Sequence, residues 1–345
     1  MSGTLDRHVA RQFARAALQV TLAALAAVLI IDVLLSYHVL ARPAPWSAKL
    51  ELLAARVPGL LNFALPVAAL VAALAVALPM LRSGECIALG AAGLSLSRAF
   101  RSVLLGCLAL GALDALLALQ ATPLATARAV ALQDAIEGRA REGRVWTEAG
   151  VSWFAGRLRV VGAQRPLLEV VVAARPGSVL QADRLQWDPA QGWLLADGGW
   201  LFRVVDGEQR LTRVSPGPLP GDLALPLPPE ALFRRLLPRH TMTARELWER
   251  GERGDSAVLW GRAVRLAVPA LMAMCALPVL VRFRNLGRLA VATAESALAA
   301  CVPAAIVSVA VLGADATPGP PALSIGIGLL LAAVPALWLW LRWRL

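Results

Sequence analysis

Long apolar runs dominate both ends of the chain, and a polar, punctuated block divides them. Six stretches, near 16–38, 58–81, 101–122, 263–282, 289–312 and 322–341, carry few or no charges. As helices they are long enough to cross a hydrocarbon core of about 30 Å, which takes roughly 20 residues. The pattern predicts a membrane α-helical protein with six spans in a 3+3 arrangement and a domain inserted between the two halves. The first apolar run is longer than the core of a cleavable signal, about 7–15 residues, so it reads as a span.

Inside the inserted block the period changes. "RPG" at 175–177, "DPAQG" at 188–192, "DGG" at 197–199 and "DG" at 206–207 separate short segments, and these are hairpin signals. Alternation in "GWLFRVV" puts Trp200, Phe202 and Val204 on one face. Leu185 and Trp187 precede a turn that Trp193 and Leu195 follow. Closely spaced strands of this kind predict an all-β sandwich or jelly roll. Trp146, Trp153, Trp187, Trp193 and Trp200 either fill its core or line a face that cradles an acyl chain; the pattern serves both. Prolines at 216, 218, 220, 226, 228 and 229 mark an irregular return to the membrane. A helix follows over 243–253, with Thr243 and Glu246 spaced as a capping box. The predicted domains are therefore 1–122, 123–262 and 263–345.

Composition agrees with a membrane protein, since 58% of residues are hydrophobic and 17% charged, against about one quarter charged in soluble domains. The net charge of +11 does not point to nucleic acid, because the arginines are spread along the chain and no nucleic-acid motif accompanies them. It suits anionic lipid headgroups or an anionic substrate. Basic residues set the orientation. Arg7, Arg11 and Arg15 precede the first span, Arg82, Arg98 and Arg101 sit between the second and third, Arg282, Arg284 and Arg288 between the fourth and fifth, and Arg342 and Arg344 after the last. Those segments are expected in the cytoplasm, with the block at 123–262 on the opposite side.

Much chemistry is absent. Lys49 is the sole lysine and no glycine loop precedes it, which excludes a phosphate-binding Walker loop. His8, His38 and His240 stand apart, and the four cysteines have no metal-ligand spacing. Asp32, Asp114 and Glu295 are the acids placed within spans. Charges at membrane depth are costly and mark functional candidates, unless they pair with arginines.

One connector stands out. "RSGECIALGAAGLSLSRAF" at 82–100 joins the second and third spans, too short and polar to be a span and too patterned for a plain turn. As one helix it would align Cys86, Leu89, Gly93 and Leu96, with Ile87, Ala91 and Leu94 beside them. Gly90 to Gly93 would allow close backbone approach, and Glu85 sits favourably at the helix start. It reads as a docking element for a cytoplasmic partner.

The same residues resemble the LptF/LptG permease family, the transmembrane subunits of the lipopolysaccharide exporter. "RSGECIALGAAGLSLSR" is similar to the family's Arg-Ser-x-Glu-(hydrophobic)2-Ala-Leu-x-Ala-x-Gly-(hydrophobic)-Ser pattern. "LDRHVARQFAR" at 5–15 looks like its amphipathic N-terminal helix, and "AVPALMAMCALPVLVRFRN" like its fourth span. The resemblance implies a multi-pass protein of the bacterial inner membrane with both termini cytoplasmic and a periplasmic jelly-roll domain. It implies a second LptF/LptG-type subunit, an LptB-like ATPase dimer that holds ATP and Mg, and LptC-like and LptA-like jelly-roll proteins that receive lipopolysaccharide. No cofactor is expected on this chain and no catalytic residue, so it is expected to be a transporter subunit and not an enzyme. Arg82, Glu85, Ile87, Leu89 and Gly93 would form the ATPase-coupling helix. Arg42, Lys49, Arg262 and Arg265 are candidate contacts for lipid phosphates, or interfacial anchors. Two other readings compete: a non-transporting scaffold or assembly protein, and an intramembrane enzyme built on Asp114 and a partner acid.

Overall fold

The computed structural model describes residues 2–93, 95–137, 141–148, 150–159, 167–205, 208–229, 231–232, 239–251, 253–282, 289–316 and 320–342. Leu94, the Asp-Gly pair at 206–207, Arg284, Arg288 and Arg344 lie outside them. The helices are α1 (Ser2–Leu35), α2 (Tyr37–Leu40), α3 (Trp46–Arg82), α4 (Glu85–Ala91), α5 (Leu96–Ala99), α6 (Arg101–Leu116), α7 (Thr122–Glu137), α8 (Ala244–Arg250), α9 (Arg253–Val264), α10 (Val268–Arg282), α11 (Leu289–Ala316) and α12 (Pro321–Arg342). A π-helical turn, Leu117–Ala121, joins α6 to α7. Among the described residues five helices are long and apolar enough to cross a membrane, and a sixth span follows if Gly254–Val264 and Val268–Arg282, bent by 45°, count as one. The expected amphipathic N-terminal helix and first span form one continuous helix, α1.

The chain divides into two compact units. One comprises 1–35, 55–126 and 239–345, the other 36–54 and 127–238.

In the first unit the spans pack through small residues. Ala69, Ala72, Ala73 and Ala77 of α3 are buried with Phe13 of α1, Val103 and Cys107 of α6, and Ala273 and Ala276 of α10. In lipid there is no hydrophobic force between helices, so close van der Waals approach through alanine and glycine takes its place. Gly106 shows this directly, because a Cβ there would lie 2.4 Å from the Phe13 ring. The outward faces, such as Leu22, Leu34, Leu312 and Leu330, are apolar and exposed.

Among its described residues the second unit holds an eight-stranded antiparallel sheet: β1 (Arg141–Glu148), β2 (Val151–Arg159), β3 (Leu167–Arg175), β4 (Ser178–Asp188), β5 (Gly192–Leu195), β6 (Gly199–Val205), β7 (Glu208–Val214) and β8 (Gly217–Pro218). β1 to β4 pair in sequence order, and β4 then pairs with β6 through its first half and β5 through its second. The Asp188 carboxylate accepts from the amides of Ala190 and Gln191 and Gly192 takes φ 82, so the turn seen in the sequence brings Trp187 opposite Trp193.

The core contains Trp146, Trp153, Leu168, Leu180, Leu185, Trp193 and Leu201, closed by Leu223, Leu225 and Leu232 and by Ala131 of α7. Trp146 stacks on Trp153 across the β1–β2 pair, and Trp193 donates its indole N–H to the Leu227 carbonyl. Trp200 is the tryptophan that does not fill the core. In β6 it is Leu201 that faces the core, opposite Leu180, while Trp200 is 49% exposed and Val204 45%. The alternation is that of the sequence, but a two-residue period does not state which face is inside.

Strict alternation also fails midway along β3 and β4. Leu168 is buried, but so are Val171 and Ala173; Leu185 is buried, but so are Ala182 and Leu180. The register is unbroken, with Glu169 opposite Arg184 and Val171 opposite Ala182. Val170 takes φ 54, which a β-branched residue rarely adopts, and thereby switches the inward side of its strand. The same level is where β4 exchanges β6 for β5. Gly156 lies beside it, where a Cβ would make a tight contact, 3.0 Å from the Val170 Cβ.

Candidate functional site

The connector between α3 and α6 is built by two glycines. Gly84, at φ 76, ends the long helix and starts α4, accepting hydrogen bonds from the amides of Ile87 and Ala88. Gly93, at φ 73, stops it again, so the single helix expected across 84–98 is two short ones, α4 and α5. Cys86 is buried, and Leu89 and Leu96 pack half-buried against the span core. Arg82, Glu85, Ala88, Gly90, Ala91, Ala92 and Gly93 are exposed, and Ile87 is 62% exposed. Of the predicted coupling residues, Leu89 thus faces inward and supports the helix. The free surface is a carboxylate in the first helical turn, one isoleucine and a strip of small residues.

The intramembrane acids have different settings. Asp32 accepts a hydrogen bond from Arg56 at 2.9 Å, joining α1 to α3. Glu295 is exposed on α11. Asp114 is fully buried on α6, and Nη1 of Arg265 lies 3.5 Å from both its oxygens. The same Nη1 donates to the Asn62 backbone carbonyl at 3.2 Å. The Asn62 side chain donates to the Thr122 hydroxyl at 2.7 Å, and its own Oδ1 has no partner among the described residues.

Two irregularities of the backbone meet around this cluster. The π-turn begins three residues after Asp114. The bent span breaks at Arg265–Ala267, between α9 and α10. Gly111 allows the break to approach, since a Cβ on it would lie 2.3 Å from the Leu266 carbonyl oxygen. Buried polar groups at this depth need internal partners.

The four candidate phosphate contacts separate. Arg262 is buried, donating from Nη1 to the Met242 carbonyl at 2.7 Å and from Nη2 to the His240 carbonyl at 3.0 Å, so its guanidinium holds the return segment. Partial burial, and then the charge of Arg262, push the His240 imidazole below its usual range. Arg42 is exposed and donates to the Glu137 carbonyl at 3.0 Å. Lys49 sits 5.1 Å from the Trp46 ring centroid. Arg265 has a side chain 41% exposed. The sequence reading named Asp114 and Arg265 but did not join them, and it missed Asn62, Thr122 and Gly111. A lone asparagine in "GLLNFALP" was the available signal.

Several apolar spans, a separate antiparallel sheet and an exposed connector between two spans describe a multi-pass membrane protein of the transporter type. The chain belongs to the lipopolysaccharide export system permease LptF/LptG family, whose model matches residues 7–342. No curated protein matches it. It is therefore a multi-pass permease subunit of the lipopolysaccharide export type, a family of the inner membrane.

Proposed function

We propose that this chain is one of two permease subunits that, driven by a separate ATPase dimer, extract lipopolysaccharide from the outer leaflet of the inner membrane. The observation that carries this reading is the exposed face of α4, held between two spans by Gly84 and Gly93 and anchored by Cys86 and Leu89. A chain without a Walker loop needs a place where a partner can push, and a short helix rooted in the span core would transmit displacement to α3 and α6. Glu85, in the first turn of α4, would accept a charge-assisted hydrogen bond from the ATPase, and Ile87 would fill an apolar groove.

On this reading the arginine-rich connectors and both termini are cytoplasmic, three spans lie on each side of the sheet domain, and the sheet stands in the periplasm. The domain would act as a jelly roll that receives acyl chains and passes them to LptC-like and LptA-like partners of the same architecture. ATP and Mg belong to the partner. Replacing Glu85 by alanine or lysine is expected to lower lipid-stimulated ATP turnover of the assembled complex several-fold, a charge-assisted contact contributing about 1.5–3 kcal/mol. Turnover of the isolated ATPase is unaffected. Wild-type turnover in Glu85→Lys complexes would refute the assignment.

A further inference from the structure

The two arginines of the broken span, three residues apart, are used in opposite ways. Arg262 is buried and both its terminal nitrogens are spent on backbone carbonyls. Arg265 uses Nη1 alone: Asp114 and the Asn62 carbonyl hold that nitrogen, while Nε and Nη2 have no acceptor among the described residues. A guanidinium is a planar fork, and its Nε–Nη2 edge matches two oxygens of a phosphate. Fixing Nη1 restrains the plane, and the side chain's 41% exposure leaves the rest reachable.

The Asp114 contact is not a closed ion pair of the kind found elsewhere in the chain. Arg56 reaches Asp32 at 2.9 Å, and Arg250 meets Asp255 through two nitrogens. Arg265 stands 3.5 Å from each Asp114 oxygen, at the limit of hydrogen bonding. The acid is fully buried and the base is not. A buried anion on α6 beside a half-exposed cation at a helix break is a support for that cation.

We infer that Arg265 is a phosphate-binding residue of the bent span and that Asp114, with the Asn62 carbonyl, is its positioning residue, presenting the free Nε–Nη2 edge to a phosphate of the exported lipid. The inference rests on the reading that this chain carries an anionic lipid, and it assigns Arg262 a purely structural part. The break between α9 and α10 is what permits the division. It lets Arg265 leave the line of the helix toward α6, with Leu266 seated over Gly111.

The test uses the full purified complex in phosphatidylcholine nanodiscs, with bis-phosphorylated lipid A and its dephosphorylated form as probes. Asp114→Asn is expected to weaken binding of the phosphorylated lipid about tenfold, the size of one charge-assisted contact. Binding of the dephosphorylated lipid does not change, and Asp114→Glu restores part of the difference. The neutral pair Asp114→Asn with Arg265→Gln keeps a polar contact between α6 and the break, and it is expected to bind the two lipids alike even if the single variant does not fold. Excess phosphatidylglycerol does not displace the bound lipid. Equal effects on both lipids would make the pair merely structural, and tighter phosphorylated binding in Asp114→Asn would make Asp114 a competitor; either overturns the proposal. So does displacement by phosphatidylglycerol. A wild-type complex that binds both forms equally overturns the role of Arg265 alone, whereas one that binds neither overturns the lipid-export reading beneath it.

Discussion

Gly111 occupies a place where a side chain has no room, because its α-carbon faces a backbone carbonyl and not a movable group. Gly59, also in a spanning helix, faces open space. Gly111→Ala is therefore expected to destabilise by about 1–3 kcal/mol, the usual cost of overpacking, and Gly59→Ala to be neutral or stabilising by up to about 1 kcal/mol. Thermal unfolding of the two variants in detergent checks the contrast. In the sequence the two glycines look alike, each in an apolar run. Arg262 and Arg265 look alike as well, and what separates them is which one lies beside the break. Asp114 was legible as an unusual residue, since a carboxylate in a span demands a partner, but the partner lies 151 positions away.

Elements that depend on neighbours in the chain were readable in detail. The turn at 188–192 and the registers of Trp187 with Trp193 and Leu185 with Leu195 follow from local turn chemistry. So does the start of α8, where Thr243 accepts from the Glu246 amide and the Glu246 carboxylate accepts from Thr243. Loss of this cap in Thr243→Ala costs about 0.5–2 kcal/mol, and hydrogen exchange over 244–250 should accelerate in step while the sheet is unaffected. The connector was legible in part: its role as a separate helix came from composition, but its interruption at Gly93 did not. Which side of β6 turns inward was not legible either, nor the switch at Val170, because both answer to strands that pack across the sheet.

At the scale of the whole molecule, two compact units with separate cores should not unfold as one. The β unit contains the stacked pair Trp146 and Trp153, and its circular-dichroism signature is expected to be lost at a different temperature from the helical signal. Coincident transitions would show that the units are energetically inseparable.

By itself the sequence determined the spans, the inserted β region, the connector and the family, because each depends on local hydrophobicity, turn residues or a contiguous motif. Tertiary structure alone decided that Leu89 supports α4, that Arg262 is spent on carbonyls, and that Asn62, Asp114 and Arg265 meet at one level of the spans. Those outcomes depend on which helix faces touch and where a helix breaks. Contacts between residues far apart in the chain set both, and an apolar run of nearly uniform composition does not encode them locally.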